Sequence, residues 1–324
     1  MFLGDVPDQL AAKTAHGVAH WRPEWCVGQL RLDGCQADLN LTDMGLREGY
    51  DAGARTLLVG VVNQGGTLNE EWSNILLAAV DLGMHIASGL HMRLADVPGL
   101  AEAAAAKGVE LFDVRHPTQT FDVGRGHKRS GKRLLTVGTD VSVGKMFTSL
   151  AIEREMLARG MKADFRATGQ TGIFIARDGV SVDAVVSDFV SGAAEWLSPE
   201  NDQDHWDVIE GQGSLFHAAY AGVTLGLLHG SQPDVVVVCH DPGRPHMRGT
   251  PAIPVRGLTE TIEANLVAGR LTNPDIRCIG VAINTSRLSE TEAAEILREA
   301  EAETGMPAVD PVRTGVAPLV DALS

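Results

Sequence analysis

The clearest chemistry in this 324-residue chain is carried by the run Gly138-Thr139-Asp140-Val141-Ser142-Val143-Gly144-Lys145. A strand candidate, Arg133 to Val137, precedes it, and a helix candidate over 146–159 follows, ending at Gly160. A loop G-x-x-x-x-G-K-[ST] in that setting cradles phosphate: its N–H groups and the helix N-terminus carry partial positive charge, and the lysine adds a full one. Here the two glycines stand one residue further apart. The residue after the lysine is Met146, where a nucleotide hydrolase has a Ser or Thr hydroxyl on Mg²⁺. A thioether is a poor ligand for that hard, oxygen-seeking cation. Thr148 is two positions further along the helix and points elsewhere. The pattern predicts a pyrophosphate that is held without being cleaved. Coenzyme A fits it, and ATP as a phosphoryl donor fits less well.

Such a loop must be positioned by a sheet. In the first ~128 residues, apolar runs alternate with helical periods. Thr56 to Val62 is a β-branched strand candidate closed by the turn Asn63-Gln64-Gly65-Gly66, which lacks the G-x-G-x-x-G of a dinucleotide loop. Residues 69–82 read as a helix ended by Gly83, His85 to Gly89 as a strand, Ala101 to Lys107 as a helix ended by Gly108, and Val109 to Val114 as a third strand. This β-α-β-α-β order implies a parallel sheet with helices on its faces. Gly124 to Lys132 is basic and glycine-rich and reads as an exposed connection in which no residue has a defined task. Beyond the loop, strands are expected at 207–209, 233–239 and 276–283, and helices at 260–268 and 289–304. The expected fold class is α/β, with domains over 1–128 and 129–324.

Composition narrows the function further. A net charge of −15 provides no basic footprint for a nucleic-acid backbone. Cys26, Cys35, Cys239 and Cys278 are scattered without zinc spacing and read as reduced thiols. The longest apolar runs, such as Val235 to Cys239, fall far short of a membrane span. Met1-Phe2-Leu3-Gly4-Asp5 lacks the layout of a secretory leader. A cytoplasmic enzyme is expected, with no nucleic-acid or membrane partner.

The loop resembles that of dethiobiotin synthetases, which carry threonine after the lysine. Four segments together resemble the D-glutamate N-acetyltransferase family: Gly138 to Met146, Ala167-Thr168-Gly169-Gln170-Thr171-Gly172, Ile209-Glu210-Gly211-Gln212-Gly213-Ser214-Leu215, and Gly226 to Asp234. The resemblance implies a Rossmann-like N-terminal domain followed by a P-loop, dethiobiotin synthetase-like domain. It implies acetyl transfer from acetyl-CoA to the amine of D-glutamate, and Met146 in place of the metal-binding hydroxyl adds the expectation that no metal is required. It also implies a metabolic link to an N-acetyl-amino-acid racemase; a homodimer or larger homo-oligomer is expected. Two other readings stay open, a Mg²⁺/ATP-dependent ligase and a non-catalytic CoA or nucleotide sensor.

Acetyl transfer to an amine needs a proton acceptor, a stabilised oxyanion and a held acceptor. Glu210, after the strand at 207–209, is the first candidate base, since ligands of open α/β sheets sit at carboxyl ends of strands. By position it matches the acidic metal ligand of dethiobiotin synthetase-like enzymes; a backbone-capping carboxylate is the alternative. His217, seven residues on, is a second candidate base, and Asp188 a third. Arg166, Gln170 and Arg244 are candidate contacts for an acidic acceptor. Asn284 resembles the asparagine that meets the adenine ring in dethiobiotin synthetase-like folds. With it, Gly138, Thr139, Asp140, Val141, Ser142, Val143, Gly144, Lys145 and Met146 make up the expected cofactor site.

Overall fold

The computed structural model describes residues 1–61 and 68–323. The turn expected at Asn63 to Gly66 lies outside them. By contact, the chain forms two compact units: Met1–Thr118 with Ile173–Arg177, and Gln119–Gly172 with the residues from Asp178 onward.

The first unit holds strands β1 (Phe2–Gly4), β2 (Leu30–Arg31), β3 (Thr56–Val59), β4 (His85–Ser88) and β5 (Leu111–Asp113), with helices α1 (Lys13–Trp21), α2 (Leu46–Asp51), α3 (Glu70–Asp81) and α4 (Leu100–Lys107). The sheet is parallel in the order β2-β1-β3-β4-β5. α3 starts where the Asn69 side chain accepts the Trp72 N–H, and it buries Trp72, Leu76, Ala79 and Val80, one stripe at helical spacing. Gly83 and Gly108, both at positive φ, follow the helix ends read from the sequence. The residues after Met1, read above only for the absence of a leader, form β1 beside β3, with Phe2 and Leu3 wholly buried.

The second unit is built on β6 (Lys132–Gly138), β7 (Ala163–Arg166), β8 (Trp206–Ile209), β9 (Val235–His240), β12 (Arg277–Ile283) and β13 (Ala308–Val309), parallel in the order β13-β12-β9-β6-β8-β7. A separate antiparallel hairpin joins β10 (His246–Met247) to β11 (Thr250–Pro254). Its helices are α5 (Lys145–Ala158), α7 (Val190–Leu197), α8 (Ala221–Ser231), α9 (Leu258–Gly269), α10 (Glu290–Thr304) and α11 (Ala317–Asp321), while α6 (Gln170–Ala176) begins in this unit and from Ile173 counts with the first. β9 is buried from Val235 through Cys239. A central parallel strand has no solvent face, which is why the sequence shows a continuous apolar run there.

The basic stretch 124–132 departs from the expectation of a plain connection. Most of it is exposed, but Arg129 is buried and donates to the Ser198 and Gly230 carbonyls, both at 2.8 Å. The Glu195 carboxylate accepts the N–H groups of Arg125 (2.8 Å) and Gly126 (3.0 Å). Arg133, at the start of β6, has no solvent exposure. Its guanidinium donates to the Ser198 hydroxyl and to the carbonyls of Arg129, Ser130 and Pro199. The Ser198 hydroxyl in turn donates to Asp207. Apolar periodicity carries no signal for arginines buried by backbone carbonyls.

Candidate active site at the carboxyl ends of the strands

β6 lies between β9 and β8, so the loop leaving it opens at the middle of the sheet edge. Because the strands are parallel, the segments that follow β7, β8, β9 and β12 emerge on the same edge. Ser142 (φ 53°) and Gly144 (φ 106°) are left-handed, which folds the loop back on itself. α5 starts at Lys145, and no side chain caps it. The N–H groups of its first turn have no partner within the helix and suit an oxyanion. Lys145 is buried, and its Nζ donates to the Asp140 carbonyl at 2.8 Å. Burial lowers its pKa to about 8, opposed by the neighbouring Cys239 and Asp140. Thr148 donates to the Gly144 carbonyl and accepts from the Cys239 thiol, and burial pushes that thiol up to about 11. Met146 stands beside the lysine and offers no oxygen.

Asp140 organises the loop from within. It is fully buried; Oδ1 accepts the Val141 N–H, while Oδ2 accepts Arg244 Nη1 and the Arg248 N–H, each at 2.9 Å. Arg244 also donates to the Val141 and Ser142 carbonyls and pairs with Asp241. Its guanidinium therefore clasps the phosphate loop and is not left facing outward toward an acceptor.

Glu210 follows β8 and is 5 % exposed. Its Oε2 accepts the N–H groups of Thr168 (3.0 Å) and Gly169 (3.1 Å). The Thr168 hydroxyl donates to the Glu210 carbonyl at 2.6 Å and accepts from Gln212 Nε2 at 3.2 Å. The glycines here make room: a Cβ on Gly172 would come within 2.3 Å of Glu210 Oε2. One on Gly211 would lie 1.6 Å from the Thr136 carbonyl oxygen and 3.2 Å from Lys145 Cδ. The lysine stem thus lies against the backbone of the residue after Glu210. Burial raises the Glu210 pKa to about 7, opposed first by the Thr168 and Gly169 N–H groups and then by Lys145. A carboxyl with that affinity can exchange a proton near neutral pH.

The other expected residues fall into place differently. His217 is buried; its Nδ1 accepts the Ala219 N–H at 3.2 Å, and its Nε2 donates to the Arg248 carbonyl at 2.9 Å. Both ring nitrogens are engaged, so the imidazole braces two loops and presents no free nitrogen to a substrate amine. Ser214 is likewise committed, donating to the Thr139 carbonyl. Asp188 is exposed on the single 3-10 turn Ser187–Phe189. Arg166 turns back to Asp207 (2.8 Å) and Asp164 (3.2 Å). Gln170 opens α6, half-buried. Asn284 follows β12, its N–H on the His240 carbonyl and its side-chain oxygen accepting the Ser286 N–H. Thr168 and Gly169, as donors to Glu210, were visible only as part of the Ala167–Gly172 motif; Arg248 carried no motif at all.

Among the described residues, Asp164, His205 and Asp207 form one group whose ligand-type atoms all lie within 4.8 Å of one another. Arg166 already supplies a cation to both of its carboxylates.

Residues 121–320 match the family described as a domain of unknown function, DUF1611_C, P-loop domain, and residues 30–117 match DUF1611_N, Rossmann-like domain. A protein of Tritonibacter scottomollicae named D-glutamate N-acetyltransferase is 53 % identical over 324 residues, covering 100 % of this chain and 97 % of its own. One of the same name from a Pseudoalteromonas species is 48 % identical over 320 residues, covering 99 % and 96 %. The crystal structure of a DUF1611 family protein from Anabaena variabilis superposes with a TM-score of 0.87 at 31 % identity, covering 99 % of this chain and 98 % of its own. A phosphate loop without its hydroxyl, a buried carboxyl beside it and full-length similarity to these proteins all agree: the chain belongs to the DUF1611 family that includes the D-glutamate N-acetyltransferases, with a Rossmann-like N-terminal domain and a P-loop C-terminal domain.

Proposed function

We propose that this enzyme moves an acetyl group from acetyl-CoA to the α-amine of D-glutamate. The observation that carries the reading is that Lys145, at the uncapped α5 N-terminus, lies against the backbone beside Glu210 and acts on its buried carboxyl, in a chain 53 % identical along its whole length to a protein of that name. Lys145 and the first-turn N–H groups of α5 fit a pyrophosphate. Acetyl-CoA supplies the acyl group already activated as a thioester. The amine of an amino acid is protonated at neutral pH and cannot attack in that form. Glu210, ionised above about pH 7, takes one proton, and the neutral amine attacks the thioester carbon. As the C–N bond forms the C–S bond breaks. CoA leaves as a thiolate that takes up the proton from Glu210, and the second amine proton is lost to solvent. Met146 in place of a hydroxyl makes the reaction independent of Mg²⁺. We place it in the cytoplasm, where acetyl-CoA is at hand and the four thiols stay reduced.

The test follows release of free CoA with acetyl-CoA and a panel of D- and L-amino acids, in excess chelator. D-glutamate is expected to be acetylated at full rate. Failure of every acidic amino acid would overturn the reading. Strict Mg²⁺ dependence with ATP turnover would return the protein to the ligases.

A further inference from the structure

We propose that Arg248 binds the side-chain carboxylate of the acceptor and sets the preference for an acidic amino acid, with His217 as the residue that positions it. The inference rests on the proposed acetyl transfer and adds the determinant of its substrate class.

Arg248 occupies, with Gly249, the two-residue turn between β10 and β11; Met247 pairs with Thr250 across it, and Gly249 has φ +81°. Both backbone groups of Arg248 are fixed from opposite sides. Its N–H donates to Asp140 Oδ2 of the phosphate loop, and its carbonyl accepts His217 Nε2 from the segment that follows Glu210, each at 2.9 Å. His217 and Asp140 are themselves buried. The turn is therefore locked between the phosphate loop and the Glu210 segment, while the Arg248 side chain is exposed.

That side chain is uncommitted. Among the described residues its guanidinium meets no carboxylate, carbonyl or ring. Other arginines of this unit differ: Arg244 clasps the loop, Arg166 holds Asp207 and Asp164, Arg287 holds Asp241, and Arg256 pairs with Glu260. From Pro242 to Thr259 the chain has Arg244, His246, Arg248 and Arg256 and no acidic residue, within a protein of net charge −15. A fixed backbone carrying a free planar donor on a locally basic hairpin suits bidentate capture of a carboxylate. The Arg248 backbone is anchored to Asp140 and His217, whereas the Glu210 carboxylate is anchored to Thr168 and Gly169, on a different segment. With the amine at Glu210 on the proposed reading, Arg248 is assigned the side-chain carboxylate, the charge that distinguishes glutamate from glutamine.

The experiment is steady-state kinetics on the whole protein with D-glutamate and with D-glutamine, which has the same length but lacks the side-chain charge. Arg248→Ala should raise the KM for D-glutamate about 10- to 100-fold, the loss expected for a charge-assisted bond. It should leave the KM for acetyl-CoA within about twofold and abolish the preference for D-glutamate over D-glutamine. His217→Ala should raise the same KM by a smaller factor without altering the pH dependence of kcat/KM. His217→Gln, whose amide can still donate to the Arg248 carbonyl, should restore it. An acetyl-CoA KM that rises with Arg248→Ala overturns the proposal in favour of a phosphate contact. An equal loss for D-glutamate and D-glutamine, or a preference that survives, also overturns it. A His217→Ala variant that loses a limb of the pH profile would make His217 the base and overturn its positioning role. If the unaltered enzyme acetylates no acidic amino acid, the proposed function fails instead, and calorimetry with acetyl-CoA on each variant shows whether the site is intact.

Discussion

Two buried charged clusters in the P-loop unit make an instructive pair. At the start of β6, Arg129 and Arg133 sit among Ser198, Glu195 and backbone carbonyls; their guanidinium nitrogens are taken up by protein acceptors, and Asp207 is held from two sides. At the end of the same strand, Lys145 Nζ donates to the Asp140 carbonyl of its own loop, and Glu210 Oε2 accepts the Thr168 and Gly169 N–H groups, with the Gln212 side chain also on the carboxyl. Burial lowers the pKa of Arg129 only to about 10, so the guanidinium stays charged at any physiological pH. The same physical cause moves Glu210 and Lys145 to about 7 and about 8, close enough to neutrality for either to change state. Burial alone does not mark a functional charge. A pKa brought near neutrality separates the proposed working end of β6 from its anchoring end.

The largest effects should fall on opposite observables at the two ends. Glu210→Gln should lower kcat by roughly 10²–10⁴ with little change in acetyl-CoA affinity, as loss of a general base does. Stopped assays of thiol release check this, and a loss under tenfold would remove Glu210 from the base role. Arg133→Ala should instead lower stability by about 3–5 kcal/mol, the cost of dismantling a buried, fully bonded charge; urea unfolding measures it, and a soluble variant with unchanged midpoint would show that the anchor is dispensable. Lys145→Ala should weaken acetyl-CoA binding by about 1.5–3 kcal/mol, seen by calorimetry, while the unfolding midpoint holds. The smallest effect is a slope. A carboxyl raised from 4.5 to about 7 binds its proton more tightly in the folded state, so its contribution to stability declines as pH rises through that window. The stability of Glu210→Gln relative to the unaltered protein should therefore grow between about pH 5 and pH 7 and level off above. A pH-independent difference would mean that Glu210 is ionised in the fold at acid pH.

The contrast also explains what could be read from the sequence. The Gly138–Lys145 loop was legible because strand, glycines, lysine and helix are contiguous, and local backbone preferences fix them. α3 was legible as a helical stretch closed by Gly83, and α4 from its run of alanines closed by Gly108. Side-chain commitments were not. Arg166 turns to Asp207 because β7 and β8 pair Asp164 with Asp207 in register, and no local pattern encodes that register. Arg244 was expected at the acceptor for its place after β9, but Asp140, over 100 residues earlier, draws it onto the loop. His217 looked like a base by residue type; its role is set by Arg248, on a hairpin that folds back from 31 residues away. The strand Phe2–Gly4 was missed because three residues contain no period to detect.

The way the hydroxyls and the thiol beneath the loop are tied up bears on the order of events in a turnover. A covalent acetyl-enzyme would need a nucleophile of the protein's own at the strand ends. Ser214 donates to the Thr139 carbonyl, Thr168 to that of Glu210, and Cys239, beneath the loop, is fully buried with its thiol pushed up to about 11. None of the three is free to accept an acyl group. On the proposed reading, acetyl is expected to pass straight from one substrate to the other with both bound at once, the Thr139 hydroxyl against His240 Nδ1 being the first alternative acceptor to test. Initial rates measured against both concentrations should give intersecting reciprocal plots; parallel lines would reveal an acylated residue elsewhere.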